Sequence, residues 1–325
     1  MSVLSVRDLE VTYTTQAGAI PAVRGVSLDI AKGEVLGLAG ESGCGKSSIV
    51  NAILRLVPPG TTVSGEVVLN GEDVLTMKPG RLRAVRWTQA SVVFQGAMHA
   101  LNPVQRIGDQ LAEAIIIHGQ GRPREAMVRV GGLLEQVGLP LRRLRDYPHE
   151  LSGGQKQRVM IAMALACSPS LIIADEPTTA LDVMVQAQVL NLLHELQAEF
   201  GLAMLFITHD LSVLVEVCDR LAIMYAGKIV EQGPSVPVFS KPTHPYTEAL
   251  AAAFPAIGDP RFRRAPSGLG GDPPQPDAIP SGCSFHPRCP YAFDACPTTV
   301  PDLYGSGEQR EAACLLVPKG ATISP

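Results

Sequence analysis

Residues Gly40 to Ser47 read Gly-Glu-Ser-Gly-Cys-Gly-Lys-Ser and fit the spacing G-x-x-x-x-G-K-[ST]. Gly40, Gly43 and Gly45 let backbone N–H groups close around phosphate oxygens, with Ser42 and Cys44 as small residues between them. Lys46 is placed to reach β- and γ-phosphates and Ser47 to ligate Mg²⁺, with Ser48 completing the set. A second run, Leu171 to Ala174, is apolar and ends in Asp175 and Glu176. A carboxylate there holds Mg²⁺ through water, and its neighbour orients or deprotonates the attacking water. Asp175 is assigned to the metal and Glu176 to the water. Between these runs lies Leu151-Ser152-Gly153-Gly154-Gln155. Ser152 caps a following helix, and Gly153 and Gly154 expose its amides, giving a second helix start that accepts an anion. Taken singly, the three runs also read as a glycine turn, a solvated strand end and an ordinary capped helix.

These groups need rigid elements to aim them. Val35–Ala39, Ser91–Phe94, Leu171–Ala174 and Met204–Ile207 are almost wholly apolar, which suits central parallel strands covered on both faces. The phosphate loop follows the first of these and precedes an apolar helix pattern from Ile49 to Leu56, the context the motif requires. Leu4, Val6, Leu9 and Val11, and the run Glu66–Leu69 before Asn70-Gly71, predict a small antiparallel sheet. Residues from about 100 to 165 carry helical patterns and no clear strand. The expected fold is α/β: a parallel core bearing the phosphate loop, an antiparallel β subdomain and an inserted helical subdomain at about 96–165.

The 325 residues carry a net charge of -4, with 46% hydrophobic and 18% charged residues. No dense Lys/Arg block appears, which argues against a nucleic-acid partner gripped through phosphates. No stretch approaches the ~18 uninterrupted apolar residues of a membrane span, and no basic-then-apolar leader opens the sequence. The expectation is a cytosolic chain whose membrane association comes through a partner. Of 27 prolines, 17 lie from Pro234 onward, so a main domain is placed at 1–235 and a turn-rich extension at 236–325. Ala265–Pro280 reads as an irregular linker. Cys283, Cys289, Cys296 and Cys314 cluster in this extension with the spacing C-x5-C-x6-C-x17-C. In a cytosolic chain such clustering favours metal or redox chemistry, and four thiolates suit a [4Fe–4S] cluster or zinc.

With the phosphate loop, the pentapeptide, the carboxylate strand and His209 in this order, residues 1–235 resemble the nucleotide-binding subunit of an ATP-binding cassette (ABC) transporter. The resemblance implies that Ser152, Gly153, Gly154 and Gln155 contact the γ-phosphate of ATP held by the opposite subunit. It implies that Gln95 senses Mg²⁺ and the attacking water, and that Asp182 contacts the other subunit near its phosphate loop. It further implies that His209 touches the γ-phosphate and that adenine stacks on Tyr13. Leu101-Asn102-Pro103-Val104, His244-Pro245-Tyr246-Thr247 and the segment Cys283–Pro290 resemble the oligopeptide/dipeptide importer ATPases. In that branch the glutamine is often followed by Asp-Pro, where this chain has Gly96-Ala97.

The resemblance implies an ATPase that drives peptide import from the cytoplasmic face of the membrane. Its partners would be a second ATPase subunit, in a heterodimer, two membrane permease subunits and, through the complex, a solute-binding protein. It also implies an iron–sulfur cluster on the four late cysteines, with zinc as the alternative. Two other readings remain: the ATPase of a nickel or other small-solute importer, and a soluble ABC ATPase.

Overall fold

A computed structural model describes residues 2–16, 18–94, 96, 100–179, 181–253, 270–307 and 309–319. In chain order the elements are β1 (Ser2–Thr15), β2 (Gly18–Ala31), β3 (Val35–Ala39), α1 (Lys46–Ile53), β4 (Thr62–Leu69), β5 (Glu72–Asp73), α2 (Pro79–Thr88) and β6 (Ala90–Val93). There follow α3 (Ile107–Ile117), α4 (Pro123–Gln136), α5 (Gly153–Leu165), β7 (Leu171–Asp175), α6 (Val183–Phe200), β8 (Ala203–Ile207), α7 (Leu211–Val217), β9 (Arg220–Tyr225) and β10 (Lys228–Pro234). The chain closes with α8 (Ser235–Ser240), α9 (Pro245–Ala253), β11 (Tyr304–Gly305) and β12 (Glu311–Ala312). These elements divide into two compact units: residues 1–4, 30–34 and 68–205, and residues 5–29, 35–67 and 206–325.

In the first unit β6 and β7 run parallel, with Ala90 opposite Leu171 and Val93 opposite Ala174. Both are nearly all buried, as expected of strands covered on two faces. The end of β4 turns back through Asn70-Gly71 into β5, so the expected hairpin is present, with Leu69 opposite Glu72. The helical part is built from α3, α4 and α5, which pack on one another. On α3 the buried positions include Ile107, Leu111 and Ile115, and on α4 Ala126, Val130, Leu133 and Leu134. That spacing puts each set on one helix face. Among the described residues no helix is long and apolar enough to cross a membrane.

In the second unit β3 pairs parallel with β9, β9 antiparallel with β10, and β10 with β12. All five residues of β3 are buried. The late extension therefore adds strands to the sheet that carries the phosphate loop: Glu231 stands opposite Ala312 and Gln232 opposite Glu311. The β9–β10 turn places Ala226 (φ 45°) and Gly227 (φ 84°) both in the left-handed region, the geometry of a tight hairpin turn. In β1 the buried residues switch phase, from Leu4 and Val6 to Leu9 and Val11. The switch falls at Asp8, at φ 45°, and Gly65 of β4 meets it there: a Cβ on Gly65 would lie 2.5 Å from the Asp8 carbonyl oxygen.

Glu231, fully buried on β10, ties the His244-Pro245-Tyr246-Thr247 turn to this sheet. Its carboxylate accepts N–H bonds from Thr243 (2.8 Å) and His244 (2.9 Å), while the His244 ring nitrogen Nδ1 accepts from the Tyr246 amide at 3.0 Å. Burial raises the Glu231 pKa, and the two amides act against that rise.

Candidate functional site

The phosphate loop lies in the second unit, at the end of β3. Gly40 (φ 154°) and Gly45 (φ 112°) sit where a side chain has no room: a Cβ would lie 2.2 Å from the Met224 carbonyl oxygen and 2.3 Å from that of Ala22, respectively. The loop is thus clamped between β2 and β9. The Gly227 amide adds a bond to the Cys44 carbonyl at 2.9 Å. Gly45 is the N-cap of α1 and offers no side-chain cap, so the first-turn amides of Lys46, Ser47 and Ser48 have no acceptor within the helix. Lys46 is only 8% exposed, and its Nζ donates to the carbonyls of Gly40 (2.6 Å) and Glu41 (3.0 Å). Helix-start amides without an acceptor inside the helix, a helix dipole and a positioned ammonium together make an anion cradle.

Ser42 and Ser47 are exposed on this loop and Ser48 half-buried. Cys44 is buried, and burial pushes its thiol pKa up despite the neighbouring Lys46, so it fills space rather than acting as a nucleophile. Tyr13 is half-buried and its hydroxyl donates to Ser48 Oγ at 3.1 Å, which brings its ring to the first turn of α1. His209 is exposed on the loop after β8. The next residue, Asp210, caps α7 through the Ser212 amide at 3.0 Å.

The carboxylates and the pentapeptide lie in the first unit. Asp175 ends β7, half-buried. Glu176 follows at φ 47°, a conformation that costs a non-glycine residue about 1–3 kcal/mol and that clusters at functional positions. Its Oε2 accepts a bond from Thr179 Oγ1 at 2.9 Å, a partner not read from the sequence. Ser152 caps α5 as expected. Its Oγ accepts from the Gln155 amide at 3.3 Å, and Gln155 Oε1 accepts from the Ser152 amide at 3.1 Å, forming a reciprocal capping box. Gly154 has a further use, since a Cβ there would lie 2.6 Å from Val185 Cγ1 on α6. Asp182 caps α6, accepting from the Val185 amide at 3.0 Å. Gln95 lies outside the described residues.

The four late cysteines are brought together. Cys283, Cys289, Cys296 and Cys314 line one small cavity of about 20 Å³, walled also by His244, Phe285 and Tyr291. Burial raises the thiols of Cys283, Cys289 and Cys314, Cys289 to about 11. Among the described residues no group of three or more His, Cys, Asp or Glu side chains stands close enough to hold one metal ion. Of the stretch read as an irregular linker, residues 270–280 are described, and they form turns and bends without helix or strand. Pro273, Pro274, Gln275 and Pro276 wall a cavity of about 210 Å³ whose other side is Glu41–Cys44.

The phosphate loop, the capped pentapeptide and the carboxylate strand are the hallmarks of an ABC ATPase. Residues 23–179 match the ABC transporter family, and residues 230–296 match the oligopeptide/dipeptide transporter C-terminal region. A protein of Sinorhizobium fredii named as a probable peptide ABC transporter ATP-binding protein is 46% identical over 96% of this chain and 94% of its own. The dipeptide transport ATP-binding protein of Bacillus subtilis is 43% identical over 92% of this chain and 90% of its own. A dimeric bacterial ABC transporter cassette superposes with TM-score 0.64 at 30% identity, covering 71% of this chain and 98% of the cassette. The chain belongs to the ABC transporter family, in the branch that carries the oligopeptide/dipeptide transporter C-terminal region.

Two glycine substitutions separate the clamped loop from ordinary helix propensity. Gly45→Ala should weaken binding of a fluorescent nucleotide at least ten-fold and lower the melting temperature, because the new methyl group meets backbone. Gly132→Ala, exposed in α4 with nothing within 4 Å of a Cβ, should instead gain about 0.5–1 kcal/mol. Equal effects of the two would contradict the clamp.

Proposed function

We propose that this chain is the ATP-hydrolysing subunit of an importer that moves peptides across the cytoplasmic membrane. The observation that carries this reading is the uncapped start of α1, with Lys46 held beneath it by the loop carbonyls. Gly40, Ser42, Gly43, Cys44, Gly45, Lys46, Ser47 and Ser48 bind the phosphates, with Ser47, Gln95 and Asp175 toward Mg²⁺ and Tyr13 against the base. Glu176 orients the attacking water, and His209 and Gln95 read the γ-phosphate. The protein supplies positioned charge and a positioned water rather than a covalent intermediate. Ser152, Gly153, Gly154, Gln155 and Asp182 serve the site of a second ATPase subunit, so two nucleotides are enclosed by two chains. The main domain is taken as residues 1–235 and the extension as 236–325.

The chain works at the cytoplasmic face, held there by two permease subunits that receive a solute-binding protein on the other side. A surface in the first unit supports such docking. Trp87, Asn102, Gln105, Ile117 and His118 line a cavity of about 370 Å³, with Val104 82% and Ile117 69% exposed. Exposed apolar side chains beside a concavity suit a short helix of a membrane subunit. The names of the relatives favour peptides over nickel as cargo.

We read Cys283, Cys289, Cys296 and Cys314 as ligands of a [4Fe–4S] cluster, with zinc as the alternative. Four thiols converge on one dry-walled space. A single zinc ion would draw its four sulfurs to within about 3.8 Å of one another. A cluster spreads its four ligands over a wider cage. When bound it would act as a staple for an extension with little core.

Two measurements check these assignments. Glu176→Gln should leave ATP affinity within about two-fold of wild type but cut turnover in the assembled transporter by roughly 10²–10⁴; a near wild-type rate would remove Glu176 from the role of base. Protein purified without oxygen should be brown and contain about four iron atoms per chain. Stoichiometric zinc without iron would decide for the zinc site, and neither metal would leave the thiols as packing.

A further inference from the structure

An acidic residue inside a phosphate loop is an electrostatic anomaly. Glu41 stands one residue after Gly40, in the loop that has to accept a polyanion. Its charge is met from the cysteine segment. Arg288, the residue before Cys289, donates from its two terminal nitrogens to Glu41 Oε2 at 2.7 Å and Oε1 at 3.0 Å. The pair is largely buried, with side chains 7% and 22% exposed. Arg288 Nε donates to the Gly270 carbonyl at 3.0 Å, and the guanidinium carbon lies 5.9 Å from the centre of the Tyr225 ring. Planar two-point pairing with a carboxylate is what guanidinium offers and ammonium does not.

Glu41 is also held by its backbone. Its amide donates to the Tyr246 hydroxyl at 2.9 Å, and its carbonyl accepts from Lys46 Nζ at 3.0 Å and from the Cys44 amide at 3.3 Å. Tyr246 and Tyr225 in turn pack against Phe285, with ring centres 5.5 and 5.3 Å away. Phe285 is a wall of the cysteine cavity. The same residue thus presents its carbonyl to the phosphate-binding lysine and its carboxylate to the cysteine segment.

We propose that Arg288 is a positioning residue for nucleotide binding: it neutralises Glu41 and fixes it, so that the extension keeps the phosphate loop receptive to an anion. This rests on the reading of Gly40–Ser47 as the ATP site. Removing the guanidinium leaves a carboxylate uncompensated beside the triphosphate, which repels it. Removing the carboxylate as well takes that repulsion away.

The test is direct binding of a fluorescent ATP analogue with Mg²⁺ to the purified full chain, at low and high salt, with thermal melting as a check on folding. Arg288→Ala should weaken binding by about ten-fold or more, with the loss shrinking as salt screens the bare carboxylate. Arg288→Lys should fall between. Arg288→Ala combined with Glu41→Gln should recover most of the lost affinity, which a merely structural role of Arg288 would not allow. In the assembled transporter KM for ATP should rise more than kcat falls. If Arg288→Ala does not fold, Glu41→Gln paired with Arg288→Gln decides: near wild-type affinity supports the charge account. Folded Arg288→Ala with wild-type affinity, or a double variant no better than the single, overturns the proposal. Lys46→Ala is the separate control: if it also binds the analogue as wild type does, the ATP-site reading itself fails.

Discussion

A Cβ on Gly45 would lie 2.3 Å from the Ala22 carbonyl oxygen, and one on Gly40 2.2 Å from that of Met224. Those two approaches are the constraint on which the rest of the second unit depends. They let the loop turn tightly enough for α1 to begin at Lys46, and they leave its first amides without a helical acceptor. Everything attached to the loop serves to keep it there. β9 presses on Gly40, β2 on Gly45, the β9–β10 turn bonds to the Cys44 carbonyl, and Tyr246 and Arg288 grip Glu41 from the extension. An anion site built from backbone holds only if the backbone cannot relax away from it.

The carboxylate strand shows a related economy. β7 is fixed by burial on both faces, and the turn after it drives Glu176 into a left-handed conformation. The side chain is then tied by Thr179. On the same unit, Ser152 and Gln155 satisfy one another as a cap, which pairs two backbone amides and leaves those of Gly153 and Gly154 without an acceptor inside α5. Gly154 lets that turn approach Val185, in the turn that Asp182 caps. Residues identified by their chemistry thus also carry local structural work.

Much of this was legible in the sequence for a physical reason. β3, β7 and β8 are buried on both faces, so they appear as unbroken apolar runs. The phosphate loop and the pentapeptide carry fixed spacings because glycine is required at fixed points. The β9–β10 hairpin escaped because its turn uses Ala226 where Asn, Asp or Gly would signal it. The alternation expected of Leu4, Val6, Leu9 and Val11 breaks between Val6 and Leu9, and the cause, the left-handed Asp8 facing Gly65, depends on a strand more than fifty residues away. The role of Glu41 escaped for a similar reason. Its partner Arg288 lies 247 residues further on, and only an acidic residue in an otherwise anion-seeking loop hinted at it. The proline-rich stretch 273–276 is irregular, as its composition implies, but that it walls the loop cavity has no signal in composition.

On the proposed function, each catalytic site is completed by a second chain. The most direct measurement of this is ATP turnover per chain as the concentration of purified protein is raised, alone and then with the partner ATPase and permease subunits. The account predicts a low rate for the dilute chain, a rate per chain that climbs with concentration, and a much larger one in the complex. Full turnover that is independent of concentration, with no partner present, would contradict it.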